Sequence, residues 1–285
     1  MSNRCAVIQM LSTADVEANL QQAGTLLAEA AAAGARLAVL PENFAAMGHP
    51  DVLSLARNEL DGQGPIQTWL ARQAEQHGMW IVAGSLPLLP AQGNQGKPTV
   101  ACLVYNSEGQ QVVRYDKLHL FDASVADSQG QYRESDTHQP GNGLVVVDTP
   151  VGRLGLSVCY DLRFPGLFTA LRSMGAEVLA VPSAFTAVTG AAHWHALLRA
   201  RAIENQCFVL APNQGGRHSA LRETYGHSMI IDPWGEILVE RASEPGCLVA
   251  NLRLEALHEL RCRMPVWEHR RMDVPGLLAQ EADHD

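Results

Sequence analysis

One succession of elements occurs twice in this chain, and it restricts the fold more than any other feature. Val16, Leu20, Ala23, Leu27 and Ala30 fall on one stripe of a helix that ends at Gly34, a residue suited to a left-handed cap. The apolar run Leu37 to Leu40 follows, bounded by Gly34 and Pro41 and without polar alternation, as in a strand covered on both faces. The same order returns later. Ala170 to Met174 ends a helix, Gly175-Ala-Glu resembles Gly34-Ala-Arg, and Val178 to Val181 is a strand closed by Pro182.

The repeat extends further. Met79 to Gly84 resembles Cys207 to Pro212, each preceded by a helical segment, Ile66 to Gln76 and Leu197 to Glu204. Leu103 to Val113 and Met229 to Val239 are each two β runs around a glycine-containing turn. Each half thus reads as helix, strand, helix, strand, hairpin. Helices with one apolar face, combined with strands buried on both sides, pack economically as two sheets face to face with helices outside. The fold class predicted is α/β, a four-layer αββα sandwich with an internal pseudo-two-fold repeat. No Pro/Ser-rich linker parts the halves, so residues 1–275 are expected to form one domain. The acidic end 276–285 has no apolar face and is expected to be mobile.

The 285 residues carry 21 Lys+Arg against 30 Asp+Glu, a formal net charge of −9, with 47% hydrophobic and 18% charged. This balance argues against disorder and against a nucleic-acid or anionic-membrane surface. No apolar run approaches the roughly 18 residues of a bilayer span, and the first ten residues lack the pattern of a signal peptide. A cytoplasmic location is the expectation. The six cysteines show no CxxC spacing, so they read as reduced thiols instead of a disulfide scaffold or thiolate zinc site.

Four residues stand in positions where chemistry is possible. Gly152 to Cys159 alternates as a strand and runs into Tyr160 to Gly166, after which Leu167 to Met174 looks helical, placing Cys159 at a strand-to-helix turn. Such a turn exposes its side chain at the sheet edge, directs backbone N–H groups at a developing oxyanion, and is expected to lower the thiol pKa. Glu42 ends another strand in Leu40-Pro-Glu-Asn-Phe44, where a helix cap is the plain alternative. Lys117 is enclosed by aromatic and aliphatic neighbours in Tyr115 to Phe121, which implies a carboxylate partner. Glu134, in Tyr132-Arg-Glu-Ser-Asp136, has the local pattern of a loop charge.

Together these residues resemble the nitrilase, or carbon–nitrogen hydrolase, superfamily, whose catalytic set is Glu, Lys and Cys in that chain order. Leu40-Pro-Glu42, Tyr115 to Asp122 and Ser157 to Pro165 carry the likeness, which continues from about Val7 through Val266. The resemblance implies the αββα fold, a supporting second glutamate at Glu134, and a homodimer formed through helices near the active site. Pro182 to Thr186, Thr189-Gly, His193-Trp, Leu198 to Glu204 and Gly226 to Gly235 resemble the Nit branch of amidases, and Gln214 to His218 favours the deaminated glutathione amidases over the ω-amidases. His195 departs from this pattern, because relatives usually carry Glu there.

The chemistry implied is amide hydrolysis through a thioester, which divides a slow reaction into two easier halves. Cys159 would attack. Glu42 would take its proton, deliver it to departing ammonia, and then activate water. Lys117 and the backbone N–H of Tyr160 would hold the oxyanion, while Glu134 shares and fixes the lysine. No metal or organic cofactor is called for. The implied partner is a small carboxylated amide; Arg163 could pair with its carboxylate or form an internal salt bridge to Asp161. Thr186 and Thr189 could hydrogen-bond substrate or cap a helix starting near His193.

Other classes fit less well. His193, His195 and Glu204 would be the ligands of a metallohydrolase, but His-x-His without a third ligand at defined spacing is a weak signal. GxSxG, the Rossmann fingerprint and the P-loop are absent. A scaffold protein that has lost activity predicts degraded catalytic positions, yet Glu42, Lys117, Glu134 and Cys159 are all of the required type.

Overall fold

In the computed structural model, residues 3–90 and 96–272 are described. The end 276–285 lies outside them.

The doubled pattern becomes two sheets with matching topology. In the first, Arg4–Gln9, Leu37–Val39 and Trp80–Val82 run parallel, followed by the antiparallel pair Thr99–Tyr105 and Gln111–Asp116. In the second, Gly152–Leu156, Val178–Ala180 and Phe208–Ala211 run parallel, followed by antiparallel Ser228–Ile231 and Ile237–Arg241. Each sheet also has an antiparallel strand beside its first parallel one. Val146–Thr149 serves the second sheet, whereas the first borrows Gly246–Asn251 from the far end of the chain.

Strand periodicity sorts the side chains into two apolar layers. Cys5, Val7, Leu37, Val39, Val100, Cys102 and Val104 point toward the second sheet and share a core with Leu154, Leu156, Leu210 and Ile230. Their alternating neighbours Ala6, Ile8, Ala38, Ala101 and Leu103 pack outward against Ala23, Leu27 and Ala30 of the helix Val16–Ala32, and against Ile66, Leu70 and Ala74 of Pro65–His77. On the opposite side Pro165–Ser173 and Ala187–Asn205 cover the second sheet through Phe168, Leu171, Trp194, Leu198 and Ala202. The αββα order is the one the sequence predicts.

Two helices of the second half begin earlier than their apolar patterns suggest. Pro165 supplies a fixed φ at the first turn of one helix. Thr186 accepts a hydrogen bond from the Thr189 N–H at 3.2 Å and starts the other at Ala187, not near His193. Among the described residues, no helix is long and apolar enough to cross a membrane.

Candidate active site

Four loops at the ends of strands carry the functional side chains. Glu42 follows the strand Leu37–Val39 in a tightly held turn: the Leu40 N–H donates to Val82 O at 2.9 Å, Asn43 N–H to Ser85 Oγ at 3.0 Å, and Gln214 Nε2 to Glu42 O at 3.1 Å. Lys117 extends the strand Gln111–Asp116, its N–H donating to Val100 O at 2.9 Å and its carbonyl accepting from Gly141 N–H at 2.8 Å. Glu134 opens the short 3-10 turn Glu134–Asp136. Cys159 opens another, Cys159–Arg163, with φ of 47° and its N–H donated to Pro182 O at 2.9 Å. A left-handed φ at a non-glycine residue is costly, and here it turns the thiol off the strand into the site.

These turns converge. Lys117 Nζ is 2.9 Å from Glu42 Oε1 and donates to Glu134 at 2.9 and 3.1 Å, so its three N–H groups are satisfied by two carboxylates. Glu134 also accepts from the Phe121 N–H at 2.7 Å. The Cys159 thiol lies beside Glu42, whose charge acts on it, and beside the Ala184 backbone. Glu42 and Lys117 are only 4% and 1% exposed.

Burial opposes charge on Lys117, but the Glu134 and Glu42 carboxylates outweigh it and hold the ammonium well above its ordinary pKa. Burial likewise pushes Glu134 up, and the Lys117 charge with the Phe121 N–H carries it below the usual carboxylate value. The thiol behaves differently from the sequence expectation. Burial first, then the Glu42 charge, push Cys159 well above an ordinary thiol, and Lys117 does not compensate. Two carboxylates and one ammonium leave a net negative site, so a thiolate would add a second uncompensated charge. The turn therefore presents a protonated thiol beside a carboxylate.

Sequence reasoning considered Asp161 only as a partner for Arg163 and missed its bonds to Tyr115, Val158 and His119. Fully buried, Asp161 accepts from Tyr115 Oη at 2.7 Å, Val158 N–H at 2.9 Å, His119 N–H at 3.1 Å and His119 Nδ1 at 2.7 Å. The His119 ring stacks on Phe164 at 3.6 Å. Asp161 thus fastens the segment carrying Lys117 to the turn carrying Cys159. Its presence in the Cys159 motif is visible in the sequence, but no periodicity pairs it with Tyr115 and His119.

A cavity of about 430 Å³ opens over these groups, bordered by Glu42, Lys117, Glu134 and Cys159 and by His49, Phe121, Tyr132, Phe185 and Arg222. Arg163, Thr186 and Thr189 also line it. Arg163 does not pair with Asp161. Its guanidinium bonds to His193 Nδ1 at 3.1 Å and lies 5.2 Å over the Phe185 ring. Thr186 fulfils the capping alternative while remaining on the cavity wall. Tyr160 lies in the first turn after Cys159, where backbone N–H groups lack intrahelical acceptors.

His195 stands away from the cavity lining. Its Nε2 is 2.8 Å from Glu240 Oε1, and His227 Nδ1 reaches the same oxygen at 2.5 Å. The alternative ligand set does not assemble, because His193 faces Arg163 and Glu204 pairs with Arg201 at 2.8 Å. Among the described residues, the group whose donor atoms lie close enough to share a metal ion is His195, His227 and Glu240.

Residues 4–261 match the sequence profile of the carbon–nitrogen hydrolase family. A deaminated glutathione amidase of Yersinia enterocolitica is 45% identical over 279 residues, covering 98% of this chain and 96% of that protein. The Homo sapiens deaminated glutathione amidase is 42% identical over 275 residues, covering 96% and 84%. The crystal structure of Saccharomyces cerevisiae Nit3, described as a member of branch 10 of the nitrilase superfamily, superposes with a TM-score of 0.84 at 29% identity, covering 94% and 96% of the two chains.

Proposed function

The chain belongs to the carbon–nitrogen hydrolase family, and from that premise we propose that it is a cysteine-dependent amidase hydrolysing the amide of deaminated glutathione, a metabolite-repair reaction. The observation that carries the reading is the contact of Lys117 with both Glu42 and Glu134 beside the Cys159 thiol, in a cavity that also holds a guanidinium. The high identity to deaminated glutathione amidases over nearly the whole chain supports the substrate.

Cys159 Sγ attacks the amide carbonyl while Glu42 removes its proton, so the thiolate never has to persist in the buried site. The Lys117 ammonium and the Tyr160 N–H stabilise the tetrahedral oxyanion. Glu42 returns the proton to the leaving nitrogen, giving a thioester, and then activates the water that releases the acid. With an ω-amide of an α-keto acid as found in deaminated glutathione, the leaving group is the amine of cysteinylglycine; ammonia departs only when a primary amide such as α-ketoglutaramate is the substrate. Arg163 pairs with the α-keto acid carboxylate, and the Thr186 and Thr189 hydroxyls supply hydrogen bonds at the wall.

The same reading includes a cytoplasmic homodimer. Val188 and Ile203 on the helix Ala187–Asn205, with Met174 and Trp234 nearby in the second half, are exposed apolar residues that a second copy would cover. Light scattering should show twice the 30.8 kDa chain mass; a monomer at micromolar concentration would contradict the assembly.

The function is tested by measuring 2-oxoglutarate release from deaminated glutathione and α-ketoglutaramate, and ammonia release from a simple nitrile, with Cys159→Ala as the blank. The highest kcat/KM is expected with deaminated glutathione. Preference for α-ketoglutaramate would make the protein an ω-amidase, and no release from any would favour a binding protein.

A further inference from the structure

Arg222 is incompletely used by the protein itself. It sits on the loop between the short paired strands Gly215–Arg217 and Glu223–Tyr225 and borders the catalytic cavity. Its Nη2 donates to Ala184 O at 3.0 Å, and its guanidinium lies 4.7 Å over the Tyr132 ring. Tyr132 is fixed in turn, its hydroxyl donating to Asp127 Oδ2 at 2.7 Å. Arg222 Nε, however, is buried with no hydrogen-bond partner, and it alone has this status among side-chain nitrogens and oxygens of the described residues. Buried donors are normally satisfied, so the unmet Nε shows a guanidinium whose hydrogen-bonding capacity the protein does not fill, and a ligand would meet it through the part of Arg222 that borders the cavity.

A planar guanidinium offers side-by-side N–H donors that match a carboxylate, and the aromatic face of Tyr132 holds the plane. Asp127, behind the Tyr132 hydroxyl, feels the Arg222 charge but makes no ion pair with it. No ion pair involves either Arg222 or Arg163 among the described residues. The two cations flank the segment Ala184–Phe185: Arg222 holds the Ala184 carbonyl, and Arg163 lies over the Phe185 ring. The Ala184 backbone lies beside the Cys159 thiol, so both cations stand close to it.

Position separates their tasks. Arg163 closes the same 3-10 turn that Cys159 opens. Arg222 follows Ser219 and Leu221, which line the cavity while Leu221 is 59% exposed, so this loop forms the outer rim. A leaving group longer than ammonia extends toward that rim. We propose that Arg222 is a specificity-determining residue that binds the carboxylate on the amine side of the scissile amide, selecting substrates with a carboxylate on each side of that bond. The inference rests on the amidase reading above.

The test compares wild type with Arg222→Met and Arg222→Lys on deaminated glutathione, which carries an amine-side carboxylate, and α-ketoglutaramate, which does not. Arg222→Met should lower kcat/KM for deaminated glutathione about tenfold more than for α-ketoglutaramate, with the excess loss mainly in KM. Arg222→Lys, retaining charge without the planar fork, should recover part of the loss. Equal losses on both substrates, or no loss on either, would overturn the proposal. Calorimetric titration of Cys159→Ala protein with deaminated glutathione needs no turnover, and adding Arg222→Met should weaken binding by a similar factor. Failure of wild type to hydrolyse deaminated glutathione would refute the function, whereas unchanged binding in the double variant would refute the role of Arg222.

Discussion

Lys117 donates to both oxygens of Glu134, at 2.9 and 3.1 Å, but to a single oxygen of Glu42, at 2.9 Å. The second glutamate therefore takes the larger share of the ammonium. In the proposed mechanism Glu134 fixes the ammonium between the two carboxylates and so keeps Lys117 and Glu42 in register with Cys159. In Glu134→Gln that hold is weakened, and kcat should drop about ten- to a hundredfold, since general-base assistance is worth about 10² to 10⁴. A kcat within about twofold of wild type would refute the shared-lysine role.

The same residue sets an acid limit. Despite burial, Lys117 and the Phe121 N–H hold Glu134 below its unfolded pKa, so the unfolded state takes up its proton first as pH falls. The stabilisation is complete above about pH 4.3, the unfolded value, and is lost as pH falls through the lower folded value. Melting temperature measured from pH 6 to 3 should fall more steeply for wild type than for Glu134→Gln. Parallel curves would show that Glu134 contributes nothing to the acid limit.

Cys159 gives the opposite sign. Burial and the Glu42 charge raise its pKa, so the free enzyme holds a thiol through neutral pH. Inactivation by iodoacetamide should keep accelerating above pH 9, while the proposed removal of the proton by Glu42 during attack predicts substrate turnover already well developed near pH 7. A plateau in alkylation below pH 7 would instead indicate a preformed thiolate.

The doubled helix–strand pattern made the layers legible because strand and helix periods are local properties of the chain. Glu42 and Cys159 were legible because each closely follows a buried strand, so its side chain emerges at a sheet edge, and Lys117 because aromatic and aliphatic neighbours enclose it. Glu134 was readable only through the family resemblance, since its segment has no period and its place depends on contacts with Lys117 and Phe121. The strand Gly246–Asn251 pairs with Arg4–Gln9 across nearly the whole chain, a relation no window of sequence contains. The turn's effect on Cys159 was misjudged because a helical N–H lowers a thiol pKa only where burial and a neighbouring carboxylate do not outweigh it.

Asp161 ties the two halves of the site together, and its geometry predicts a cost for a nearly isosteric change. Asp161→Asn places an NH2 group where an oxygen now accepts, facing a donor from Tyr115, Val158 or His119. Stability should fall by about 1–3 kcal/mol, as for a buried donor left unsatisfied. Displacement of the Cys159 turn should lower kcat as well. Urea titration and kcat measured together check this, and an unchanged midpoint would mean that the anion is not the link between Lys117 and Cys159.

Gly84 supports Glu42 through the backbone alone. It has φ of +59°, and a Cβ there would lie 2.0 Å from Pro41 O and 2.7 Å from Leu40 O, the two residues that precede Glu42. Gly78 has a similar φ of +55° but nothing within 4 Å of an added Cβ. Alanine at either site incurs the left-handed backbone penalty of about 1–2 kcal/mol, and only Gly84→Ala must also push the Leu40–Pro41 carbonyls away. Gly78→Ala should therefore lose about that much stability at unchanged kcat. Gly84→Ala should lose more, and the fraction that remains folded should turn over more slowly because Glu42, the proposed general base, has moved relative to Cys159. Equal stability losses with kcat intact in both variants would show that the turn tolerates displacement and that Glu42 is positioned by Lys117 rather than by its backbone.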